Sequence, residues 1–157
     1  MFREVQQEVN SRLSHTYLVP SIDQGELNDI HYKHKKTIGK RTAYRALANV
    51  YHQTGVQFPA FKSYRVKKNE IILSFTGVGK GIEFSAGKAP TIELIDQNGQ
   101  ITVGELRKEG RSKLAVTLPS RQIVKVRYAW KSYLRDCPLI VNSDQIPLSP
   151  FELSIGD

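Results

Sequence analysis

Asn28-Asp29-Ile30-His31 places an acid and a histidine two residues apart in a polar stretch, after a short strand-like run and just ahead of a helical one. A backbone entering a helix can turn both side chains outward. His31 is therefore a candidate general base, and Asp29 a candidate for the group that orients it through its Nδ1 hydrogen. An ordinary surface histidine explains His31 equally well, and a loop or capping role is the commoner one for an aspartate at a helix entrance; both readings stand at this stage. A base also needs something to activate. No serine sits in a Gly-x-Ser-x-Gly, Gly-Asp-Ser or Gly-Gln-Ser turn, and the serines, Ser120 included, occupy helix, loop or strand contexts without a strained elbow. Cys137, the only cysteine, stands before Pro138 and an apolar run and reads as a structural thiol. Acyl-transfer chemistry cannot be assembled from this chain alone.

Other chemistry-bearing residues are weaker signals. His31 and His34 are three apart, but without a cysteine or carboxylate set they fall short of the three or four protein ligands of a zinc site, so no metal is expected. Gly77-Val78-Gly79-Lys80-Gly81 lacks the Walker order, because a glycine rather than Ser or Thr follows the lysine; a flexible hairpin is expected there. Trp130, with Tyr133 near it, fits a core position in a β-sandwich better than a platform for a sugar ring.

The elements that must position these residues differ along the chain. Phe2, Val5, Val9 and Leu13 recur at helical spacing, with no cap or proline before them, as if the helix were cut from something longer. Thr16-Tyr17-Leu18-Val19 predicts a short strand ending at Pro20, and a second helix runs from about His34 to Gln53 with Gly55 as its stop signal. After Val56 to Phe61, read as a linker, strand-like runs follow at 64–66, 71–75, 92–95, 114–118 and 123–130, with Asn98-Gly99 as a hairpin signal. The division near residue 56 gives an αβα piece, 1–56, and an antiparallel β-sandwich-like piece, 57–157. One short strand cannot cover two helical stripes, so the first piece needs further sheet from a missing N-terminal region or a partner chain.

Charge divides in a similar way. From Ile30 to Asn69 the chain has ten Lys or Arg residues and no acid, while the remainder has 13 basic and 15 acidic residues. A solvated helix face accounts for the basic half better than a nucleic-acid face, since no nucleic-acid motif or aromatic interleaving accompanies it. No apolar run reaches the roughly 18 residues of a membrane-spanning helix. Met1-Phe2-Arg3-Glu4-Val5 carries an acid and no apolar core of a signal peptide.

Two blocks about a hundred residues apart resemble a known family. Asp23-x-Gly25-x-x-Asn28-Asp29-Ile30-His31, with Lys35-Lys36, Gly39-x-Arg41, Ala46-Leu47 and Tyr51, is similar to the C-terminal block of the sialate O-acetylesterases, carbohydrate esterases of the SGNH hydrolase superfamily. Val126-Arg127-Tyr128-Ala129-Trp130, Asn142 and Ile146-Pro147-Leu148-Ser149-Pro150-Phe151 resemble the family's closing segment. The resemblance implies the C-terminal part of an SGNH-like α/β/α hydrolase domain followed by an accessory β-domain. It implies removal of O-acetyl groups from a sugar without a cofactor, and a periplasmic or secreted setting. His31 falls on the family's catalytic histidine and Asp29 beside it. The superfamily's aspartate stands three residues before the histidine, where this chain has Asn28, and its following proline is Tyr32 here. The nucleophilic serine and the oxyanion donors belong to the family's N-terminal half, outside these residues.

Overall fold

The computed structural model of the chain describes residues 2–53, 55–119 and 122–156, so the reading of Ser120 lies outside the described residues. Two helices come first, α1 (Phe2–Arg12) and α2 (Lys35–Asn49). Ten strands follow: β1 (Ala60–Lys67), β2 (Glu70–Thr76), β3 (Ile82–Phe84), β4 (Ile92–Asp96), β5 (Ile101–Gly104), β6 (Leu106–Lys108), β7 (Lys113–Thr117), β8 (Ile123–Tyr128), β9 (Ile140–Asn142) and β10 (Phe151–Ser154). They form two four-stranded sheets, β1-β2-β7-β6 and β10-β8-β4-β5, and a separate pair β3-β9. All the strand pairings are antiparallel. The architecture is therefore a small β-rich domain with two helices.

The alternation of side chains explains the layers. Ile71, Leu73 and Phe75 on β2 and Leu114 and Val116 on β7 share one cluster with Ile92 and Leu94 on β4, Val126 and Tyr128 on β8, and Phe151 and Leu153 on β10. Residues i and i+2 of each strand point to one face, so two sheets with this period close on a common apolar layer. The helices contribute nothing apolar to it: α1 buries no residue, and the one buried residue of α2 is Arg41. From the segment between the helices, Ile22 alone joins the cluster.

Four expectations are corrected. Thr16 to Val19 is not a strand. The carbonyls of Leu18 and Pro20 accept hydrogen bonds from Arg45 Nε (3.0 Å) and Arg41 Nη1 (2.9 Å) rather than from a neighbouring strand. The linker before the β-region is shorter than expected, because β1 begins at Ala60, directly after Pro59. The glycine-rich run is no flexible hairpin, since β2 pairs with β1 and β7 whereas β3 pairs with β9. It is a crossing pinned at several points. Gly79 N–H donates to Gln57 Oε1 (3.1 Å) and Lys80 N–H to Ser143 Oγ (2.9 Å). Finally, Trp130 is half-buried and outside the core. Ala129 adopts φ +56°, which ends β8 at Tyr128 and breaks the alternation that would have put residue 130 on the inner face with 126 and 128.

Candidate active site

The loop before α2 owes its shape to one ion pair. Arg41 donates from Nη1 to Asp23 Oδ1 (2.7 Å), from Nη2 to Asp23 Oδ2 (2.6 Å) and again from Nη1 to the Pro20 carbonyl (2.9 Å). Such a fork-on-fork contact fixes direction as well as distance, and Arg41 is only 5% exposed. Burial alone would raise the Asp23 pKa. The hydrogen bonds and charge of Arg41 outweigh that and hold the carboxyl below its ordinary value. Asp23 and Arg41, which the sequence sets 18 positions apart, thereby clamp the start of the loop to the middle of α2.

Beyond the clamp, Glu26 and Asp29 form an isolated antiparallel bridge, and the Asp29 carboxylate accepts the backbone N–H of His31 at 2.7 Å. This is the two-residue turn that aspartate makes with its own backbone. The contact the structure gives Asp29 is thus to the main chain of His31; it sets the backbone on which the imidazole is carried. His31 is exposed, and its neighbours Ile30 and Leu27 stand 91% and 70% exposed. His34, the residue ahead of α2, makes no side-chain cap. Among the described residues no group of three or more His, Cys, Asp or Glu is arranged to hold a metal.

A second anchor lies at the other end of the chain. Asn142 is fully buried: its Nδ2 donates to the carbonyls of Gln57 (2.7 Å) and Gly77 (3.1 Å), and its Oδ1 accepts from the N–H groups of Asp144 and Ile146 (3.0 Å each). One amide thus joins the segment entering β1, the glycine crossing and the closing segment. Reading the sequence singled out Asn142 only through a resemblance; its chemistry as a four-bond cross-brace becomes visible once the segments are brought together.

The aromatic residues separate into two roles. Tyr128 lies in the core, its hydroxyl accepting the Ile140 N–H at 2.8 Å, and burial pushes its pKa upward. Trp130 sits at the rim of a small cleft with Thr91, Glu93 and Lys131, and the Arg127 guanidinium lies 5.1 Å from the centre of its ring. Tyr133 donates to Asp136 Oδ2 (2.7 Å) and does not line that cleft.

No protein-family model matches the chain, and no curated protein does. Among solved structures, the chain is similar to the crystal structure of a carbohydrate acetylesterase from Xanthomonas citri, with a TM-score of 0.75 and 25% sequence identity. The likeness covers 84% of this chain and 31% of that one, so the chain spans about a third of that enzyme's length.

Proposed function

We propose that this chain is the histidine-bearing portion of a carbohydrate O-acetylesterase, similar to the sialate O-acetylesterases. Residues 1–56 would form the end of an SGNH-like hydrolase domain and residues 57–157 its accessory β-domain. The observation that carries this reading is the structural likeness to a carbohydrate acetylesterase over most of the chain. The exposed loop carrying His31, fixed at its base by Asp23 and Arg41, supports it further.

In this reading His31 is the general base and Asp29 a positioning residue that holds its backbone. A serine on further polypeptide attacks the acetyl carbonyl while His31 takes its proton. The tetrahedral intermediate collapses, the C–O bond to the sugar breaks, and His31 returns the proton to the departing sugar oxygen. Water then attacks the acetyl-serine while His31 accepts its proton; the C–O bond to the serine breaks, His31 returns the proton to the serine oxygen, and acetate leaves. The serine-bearing polypeptide packs on the helical part, where large apolar side chains stand exposed on α1, α2 and the His31 loop.

Hydrolysis of p-nitrophenyl acetate tests this. The chain alone and its His31→Ala variant are expected to give the same rate. Reconstituted with a serine-bearing hydrolase portion, the chain is expected to gain a turnover that His31→Ala lowers by about a thousandfold or more. A His31-dependent rate from the chain alone would overturn the placement of the nucleophile elsewhere, and His31-independent turnover after reconstitution would overturn the role of His31.

A second reading, a non-catalytic carbohydrate-binding module, is favoured by one observation: Trp130 stands half-exposed at a largely apolar cleft to which Thr91, Glu93 and Lys131 add polar groups. Glycan-array binding lost in Trp130→Ala, without any esterase activity after reconstitution, would select it.

A further inference from the structure

Arg45 follows Arg41 by one helical turn, so both project from the same side of α2. Arg41 is fully engaged with Asp23 and the Pro20 carbonyl. Arg45 is not: it donates from Nε to the Leu18 carbonyl (3.0 Å) and lies over the Phe58 ring at 3.8 Å. Its two Nη groups have no acceptor, and the side chain has no carboxylate partner, among the described residues. Half-buried, it lines a pocket of about 330 Å³ between the helices and the β-domain.

The rest of the lining is specific in character. Phe61 and Phe151, stacked at 5.0 Å, give it an aromatic wall backed by Phe75 and Tyr128 of the core. Asn10 of α1 contributes an Oδ1 that is buried and accepts no hydrogen bond. The one carboxylate in the lining, Glu152, is already held by Arg127 and Lys125. A half-buried cation without a counter-ion and a buried acceptor without a donor each cost free energy until something supplies the missing group. The pocket offers the ligand the mirror image of its own deficits.

We propose that this pocket binds a small hydroxylated ring bearing a carboxylate, with the carboxylate on the Nη groups of Arg45, a hydroxyl donating to Asn10 Oδ1 and the ring against Phe61 and Phe151. The volume suits a single ring. Burial lowers the pKa of Arg45. The same ligand chemistry occurs in sugar acids and in aromatic hydroxy acids. The site does not depend on His31 or on the esterase reading.

Titration of the whole chain with glucuronate, 4-hydroxybenzoate and glucose, followed by calorimetry and by the side-chain resonances of Arg45 and Asn10, tests the proposal. One of the two acids is expected to bind saturably and at least tenfold more tightly than glucose; which of them binds identifies the sugar-acid or aromatic source. Arg45→Gln is expected to weaken that acid tenfold or more and Asn10→Ala severalfold, whereas Lys36→Gln on the exposed part of α2 leaves it within twofold. Binding by neither acid overturns the proposal, as does an equal loss in Lys36→Gln, which would mark non-specific attraction to a basic surface. Should Arg45→Gln fail to fold, unchanged binding in Asn10→Ala overturns it.

Discussion

Asp23 and Arg41 show how much one pair of residues decides about the candidate site. The pair lies between the loop and α2, with Arg41 buried and Asp23 mostly so, and removal of either partner strands the other away from water. Asp23→Asn is expected to cost about 3 kcal/mol at neutral pH, near the lower end for breaking a buried pair. Because the folded pKa of Asp23 lies below its unfolded value of 3.8, its contribution is complete above that value and is lost as pH falls through the folded one. Urea denaturation of the native chain and Asp23→Asn between pH 7 and pH 2 should show the difference at neutral pH shrinking toward zero at the acid end. A constant difference across that range would mean the pair does not carry the loop. Both residues were visible in the sequence as parts of a resemblance, yet nothing there shows that they meet. A clue was present: α2 has arginines one turn apart and no acid, so any carboxylate partner had to come from another segment.

The elements that announced themselves were those with local signals. The β1–β2 and β4–β5 hairpins follow from alternation and from turns at Lys68-Asn69 and Asn98-Gly99, and both helices follow from their spacing. β3 and β9, three residues each, pair with one another across more than fifty positions, and no local pattern can report such a partner. The crossing that leads to β3 was misread for the same reason. Gly77 has φ +65°, and a Cβ there would run into the Phe58 carbonyl. The close approach lets Asn142 reach the carbonyls of Gln57 and Gly77 together. Glycines that look like flexibility in a sequence are here the condition for tight contact. Gly77→Ala is expected to destabilise the chain by about 3 kcal/mol or more, from the left-handed backbone and the displaced carbonyl together. Gly99→Ala, with open space around its Cβ, carries only the backbone part, about 1–2 kcal/mol. Equal unfolding midpoints for the two variants would refute this account of the crossing.

Across the whole molecule, apolar surface is distributed unequally. Eleven large apolar side chains on residues 2–51 are exposed, against three, Val66, Ile101 and Val103, on all the described residues beyond. The β-domain has spent its apolar residues on its own core. The helical part has not: Phe2, Val5, Val9 and Leu13, the stripe that defines α1 in the sequence, are each between 44% and 76% exposed. Apart from Ile22 in the core cluster, what ties that part down is polar, with Arg3 donating to the carbonyls of Lys131 and Ser132, and Arg41 and Arg45 gripping the loop. An amphipathic stripe is a signal of burial, and none of the described strands covers this one. Apolar side chains that are already wet contribute little to folding, so Val5→Ser, Val9→Ser and Leu13→Ser combined should shift the unfolding free energy of the chain by no more than about 1 kcal/mol, mostly through helix propensity. The same triple variant should lower the binding of a hydrophobic dye and abolish association with the serine-bearing portion proposed above. Large destabilisation of the chain alone would show that the apolar stripe of α1 packs on its own β-domain. Unimpaired association would move the docking surface elsewhere, to the exposed side of α2 around Tyr44, Leu47 and Tyr51.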